Sequence, residues 1–74
     1  MKEEIRALLA DLLPLADIDA DFLFAQLSSL DVTSMLMALA DKYGITLDAT
    51  DATPRNLKSL DSIVAMVQHK LLQP

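Results

Sequence analysis

The chain is 74 residues long, enough for one domain and no more. A domain of this size buries only about 60% of its unfolded surface, and a hydrophobic content of 53% offsets the thin core that results. Eleven Asp and Glu against six Lys and Arg give a net charge of −5. That balance excludes the clustered-cation face of a nucleic-acid binder and attraction to an anionic membrane, and favours partners with basic docking patches.

The absence of cysteine removes any disulfide framework or thiolate metal site and fits a reducing, cytoplasmic setting. Residues 1–4 lead into an amphipathic stretch and do not read as a signal peptide. No apolar run approaches the ~20 residues that span a bilayer.

Ile5, Leu8, Leu9 and Leu12 follow the i, i+3, i+4, i+7 spacing of one helix face and predict a first helix over residues 2–13. Glu3 and Glu4 suit its positive N-terminal end, and Pro14 stops it. Residues 14–27 form a long loop rich in large apolar side chains, among which Phe22 and Leu27 are expected to fold back onto the core. A second helix starts at Ser28 or Ser29 and runs to about Tyr43, with Val32, Met35, Leu36, Leu39 and Tyr43 as its core stripe.

Gly44 suits the left-handed position just past that helix, with Ile45 as the accompanying hydrophobic contact. Ile45, Thr46 and Leu47 alternate but are too few for a sheet. Thr53 and Pro54 read as an N-cap and a proline at the first helical position, which predicts a short third helix ending near Leu57. Leu60, Ile63, Val64, Val67 and Leu71 predict the last helix, capped by Ser59 and ending with His69 and Lys70 near its negative end. The fold class is all-α, a single domain over residues 1–74.

The most informative stretch is Leu27-Ser28-Ser29-Leu30-Asp31-Val32-Thr33-Ser34-Met35-Leu36-Met37-Ala38-Leu39. It resembles the acyl and peptidyl carrier protein family, whose members carry Asp-Ser-Leu at the start of the second helix. Leu23-Phe24-Ala25-Gln26-Leu27 looks like the loop before the family's serine. Tyr43-Gly44-Ile45-Thr46-Leu47 resembles the aromatic-Gly-Ile segment after the second helix, and Thr53-Pro54-Arg55-Asn56-Leu57-Lys58-Ser59-Leu60 the lead-in to the last one. The likeness covers nearly the whole chain. This sequence departs from the family pattern at Ser28, where aspartate is usual, at Gln26, where glycine is common, and in a second helix poor in glutamate.

The resemblance implies a four-helix bundle of the acyl carrier protein type, with three main helices and one short one. It implies that the Ser29 hydroxyl carries 4′-phosphopantetheine from coenzyme A, placed there by a phosphopantetheinyl transferase. The thiol of that arm would pass an acyl, aminoacyl or peptidyl group among adenylating ligases, acyltransferases or synthases. The short length and the Phe24-Ala25-x-Leu27-x-Ser29-Leu30 segment look similar to discrete carriers that serve amino-acid-loading ligases, D-alanyl carriers among them, and to carriers of natural-product pathways. The expectation is a cytoplasmic monomer that is not itself an enzyme. A carrier-like scaffold that is never modified, or a helical regulatory interaction module, is the alternative.

Independently of the likeness, a serine at a helix start sits beside unpaired backbone N–H groups and the positive end of the dipole, a suitable seat for a phosphodiester. Leu30, Thr33, Ser34, Met37 and Asp41 turn away from the core stripe on the side of Ser29. With Ser28 and Asp31 they make up the candidate partner-binding face, where exposed Leu and Met suit several partners in turn.

Two decoys are set aside. Asp61-Ser62-Ile63 matches the family tripeptide more closely, but too little chain follows Ser62 for two further helices, so it reads as part of the last helix's first turn. Asp17, Asp19 and Asp21 hint at a calcium loop, yet Phe22 stands where such a loop needs glycine and Ser28 where it needs glutamate.

Overall fold

A computed structural model describes residues 1–72, so Gln73 and Pro74 of the expected single domain lie outside the described residues. Three α-helices follow in order: α1 Lys2–Leu12, α2 Ser29–Tyr43 and α3 Leu60–Leu72. Two 3-10 turns, Leu23–Gln26 and Ala49–Asp51, lie in the connections. Among the described residues there is no strand, and no helix is long and apolar enough to cross a membrane.

α1 packs against both other helices. It contributes Ile5 and Leu9 to the core, with Leu13 just past its end; α2 contributes Met35, Leu36 and Leu39, and α3 contributes Leu60, Ile63, Met66 and Val67. Ile18 and Leu23 enter from the long loop and Leu57 from the segment before α3. The Lys2 ammonium reaches Asp61 at 2.9 Å, which ties the first turns of α1 and α3 together.

The long loop is held by polar contacts at both ends. The Arg6 guanidinium donates to both oxygens of Asp19, at 3.0 and 2.6 Å, in a bidentate pair that joins α1 to the loop. Gln26 accepts the Asp17 N–H at 2.9 Å through its side-chain oxygen and so closes the loop on itself. The Leu23 N–H donates to the Lys58 carbonyl at 2.7 Å.

That last bond corrects one expectation. Leu23 is fully buried, while Phe22, expected to cap the core, is 68% exposed. Pinning the Leu23 backbone to residue 58 aims its side chain inward and turns its neighbour out. Leu27 is half-buried and packs on the core, as expected.

Other differences concern helix ends. Leu12 is partly exposed and Leu13 buried, because Leu13 continues the helical path by donating its N–H to the Leu9 carbonyl before Pro14 ends it. The short third helical turn, by contrast, is found where expected, over residues 53–57. The Leu57 N–H donates to the Thr53 carbonyl, and Thr53 Oγ1 caps it by accepting the Asn56 N–H. On α3, Met66 is buried and Leu71 is largely exposed, so the core stripe of that helix ends at Val67.

Candidate functional site

The start of α2 is organised by its N-cap. Ser28 is extended (φ −84°, ψ 170°), and its Oγ accepts the Asp31 N–H at 3.1 Å. The Asp31 carboxylate in turn accepts the Ser28 N–H at 3.1 Å, which completes a capping box. Ser29 is therefore the first residue of the helix proper. Its side chain is exposed, and its hydroxyl makes no hydrogen bond among the described residues.

Two consequences follow from this division of labour. The Ser29 and Leu30 N–H groups, at the first and second helical positions, have no intrahelical partner. The neighbouring Ser28 hydroxyl is occupied, so the two adjacent serines are chemically distinct. Thr33 stiffens the turn by donating its hydroxyl to the Ser29 carbonyl at 3.0 Å. At the other end of α2, Gly44 adopts φ +63°, and the Ile45 N–H reaches back to the Ala40 carbonyl at 3.1 Å, closing the helix as expected.

Beside Ser29 opens a cleft of about 550 Å³. One wall is the start of α2, through Ser28, Ser29, Val32, Thr33, Leu36 and Met37; Phe24 and Leu27 of the long loop and Leu47, Asp48, Ala49 and Ala52 form the rest. The far wall is shaped by Asp48, which caps the 3-10 turn by accepting from both the N–H and the hydroxyl of Thr50. Those bonds hold the Asp48 carboxyl below the usual aspartate range, so it stands ionised at the cleft. The turn is anchored to α3 by Lys70, whose ammonium lies 3.1 Å from Asp51.

A covalent phosphopantetheine arm fits these residues. It needs an accessible hydroxyl with no competing bond, unpaired N–H donors beside it for the phosphate, and room for the arm to leave the helix end. Ser29 offers the hydroxyl, the first turn of α2 the donors, and the open cleft the room.

The family model described as the phosphopantetheine attachment site matches residues 3–69. The chain belongs to this family. Domains of this kind are carrier proteins with covalently attached 4′-phosphopantetheine as their cofactor, and they meet phosphopantetheinyl transferases and synthase or ligase enzymes. No curated protein and no solved structure matches the chain.

Within this attachment domain the residues named from the sequence fall into three groups. Leu30 and Met37 are 74% and 68% exposed, and Thr33 and Asp41 also face solvent. Ser28 and Asp31 are engaged with each other. Ser34 is half-buried, so it presents less of itself to a partner than its helical position suggests. The decoy Ser62 lies in the first turn of α3, half-buried, with its N–H on Ser59 Oγ at 3.3 Å and its hydroxyl 3.2 Å from the same oxygen. Its neighbour Asp61 is the partner of Lys2.

Sequence reasoning missed the far wall of the cleft. Leu47, Asp48, Ala49 and Ala52 carry no helical or strand periodicity. The one available signal was the Asp48-x-x-Asp51 spacing, which the structure uses as a second capping box.

Proposed function

We propose that Ser29 is the attachment point of the phosphopantetheine arm. We further propose that the chain works as a discrete carrier for an acyl, aminoacyl or peptidyl group, in amino-acid-loading or natural-product biosynthesis. The observation that carries this reading is the pairing of Ser28 with Asp31. It leaves Ser29, one residue on, with an exposed hydroxyl and unpaired amides around it.

When bound, the arm supplies the thiol that holds cargo as a thioester. The chain's own contribution is presentation. The capping box fixes the backbone at Ser29, Thr33 braces it from one turn further on, and the amide-rich end of α2 favours a negative phosphate beside the hydroxyl. Leu30 and Met37, with Thr33 and Asp41 on the same side of α2, offer a mixed apolar and polar docking face for the transferase and for the adenylating ligase, acyltransferase or synthase that follows. Cargo chemistry belongs to those enzymes, so the carrier, in this reading a cytoplasmic monomer, needs no acid–base pair of its own.

The test is a mass measurement. Incubation with coenzyme A and a broad-specificity phosphopantetheinyl transferase is expected to add one phosphopantetheine. Ser29→Ala abolishes the gain, while Ser28→Ala and Ser62→Ala retain it. Absence of any gain, with the native transferase included, favours an unmodified scaffold or regulatory module instead.

A further inference from the structure

The cations of this acidic chain are not evenly used. Lys2, Arg6 and Lys70 each hold a carboxylate of the chain itself. Lys42, Arg55 and Lys58 hold none among the described residues; Lys42 lies 5.9 Å from the centre of the Tyr43 ring, while Arg55 and Lys58 stand on one face with Phe22, Phe24, Ala25 and Pro54 around an open, largely apolar hollow of about 420 Å³. Phe22 is 68% exposed, and the Lys58 ammonium lies 5.5 Å from the centre of its ring.

The face is pre-ordered by the backbone. The Leu23 N–H on the Lys58 carbonyl joins the aromatic loop to the basic segment, and the capped turn over residues 53–57 holds Arg55. Phe24 lines this hollow and also the cleft beside Ser29, so the two surfaces meet along one ring.

We infer that the Phe22–Arg55–Lys58 face is a second docking site, which receives a protein partner presenting acidic side chains around an apolar anchor. The charge argument decides the occupant. A chain of net charge −5 repels acidic surfaces in general, so two cations with no internal carboxylate, flanking an exposed aromatic, make a local exception of opposite sign. The aromatic ring and the two cations also match what interface centres favour, aromatic anchors and arginine. The shared Phe24 lets one partner cover this face while reaching Ser29. The docking does not depend on Ser29 being modified.

The experiment uses the unmodified 74-residue chain labelled with nitrogen-15 and a capped acidic peptide, Glu-Asp-Leu-Phe-Glu-Asp, titrated by amide NMR. The expected shifts cluster at Phe22, Phe24, Arg55 and Lys58 and fade as salt rises from about 50 mM to about 500 mM. Arg55→Glu with Lys58→Glu lowers the affinity at least about tenfold, and Phe22→Ala weakens binding at unchanged charge. A sequence-matched peptide with Lys in place of Glu and Asp leaves those amides unmoved. Circular dichroism verifies that each variant is folded.

The inference is overturned by shifts that are absent, that fall elsewhere, or that the basic peptide reproduces. It is equally overturned if Phe22→Ala abolishes either concentration-dependent dimerisation or binding to vesicles containing phosphatidylglycerol. The mass assay on Ser29 and this titration read different surfaces, so each can fail without the other.

Discussion

Ser28 and Asp31 cap each other across the first turn of α2, each accepting the other's backbone N–H at 3.1 Å. The pair fixes where the helix begins, and with it which of two adjacent serines presents a hydroxyl to solvent. Removing either member costs about 1 kcal/mol of stability, the usual worth of an N-cap. Because both bonds belong to one motif, Ser28→Ala with Asp31→Ala together should cost less than the sum of the single changes. Urea midpoints at unchanged slope measure this. Additive losses would mean that the two bonds act separately.

The bounds of α2 were legible because local chemistry sets them: a serine that can cap and a glycine that can turn left-handed. The place of Ser29 in the opening turn of α2 was legible for the same reason. The choice between Phe22 and Leu23 was not, since it depends on a bond from Leu23 to Lys58, far along the chain. The far wall of the cleft was hidden in the same way. Its 3-10 turn has no apolar period and is held by Lys70 on α3 reaching Asp51. The one-turn third helix was legible for the same local reason as α2: Thr53 caps it, Pro54 starts it, and it ends at Leu57.

The loop assignment yields a sharp contrast between neighbours. Leu23 is fully buried, so Leu23→Ala leaves a cavity and should cost about 2–5 kcal/mol. Phe22→Ala removes a larger but exposed side chain and its contact with Lys58, which is worth about 0.5–1 kcal/mol at an exposed site. A domain of this length has roughly 4–11 kcal/mol in total, so Leu23→Ala should lower the melting temperature severely and Phe22→Ala only slightly. A reversed order in thermal melts would show that the aromatic ring, not the leucine, closes the core.

Acid stability follows from Asp19. Hydrogen bonding to the Arg6 guanidinium holds its carboxyl below the usual aspartate value. With the folded-state value depressed, Asp19 contributes stability that is fully present above the unfolded-state value of about 3.9 and is lost as pH falls through the folded value. Asp48, lowered by its bonds from Thr50, acts over the same window. Urea midpoints followed from pH 6 to pH 2 should therefore drop below about pH 4. Asp19→Asn should make that drop shallower while lowering the neutral-pH plateau. An acid limb identical to that of the parent chain would show that the Arg6 pair makes no net contribution in solution.

Tyr43 offers the less common expectation of a stabilising change. Its ring packs against the core at the end of α2, while its phenol oxygen is buried and finds no hydrogen-bond partner among the described residues. An unsatisfied buried hydroxyl carries a penalty of about 1–3 kcal/mol that the phenylalanine ring avoids at nearly the same shape. Tyr43→Phe should therefore raise stability by about 1 kcal/mol, seen as a melting temperature higher by about 4–8 °C for a domain of this size. Tyr43→Leu, which sacrifices ring packing as well, should destabilise. The same burial pushes the phenol's pKa up, so absorbance titration of the folded parent chain should give a midpoint above the ordinary tyrosine value of about 10. A destabilised Tyr43→Phe with a phenol that titrates normally would show that the hydroxyl is satisfied in solution and that the end of α2 is looser than its capped geometry indicates.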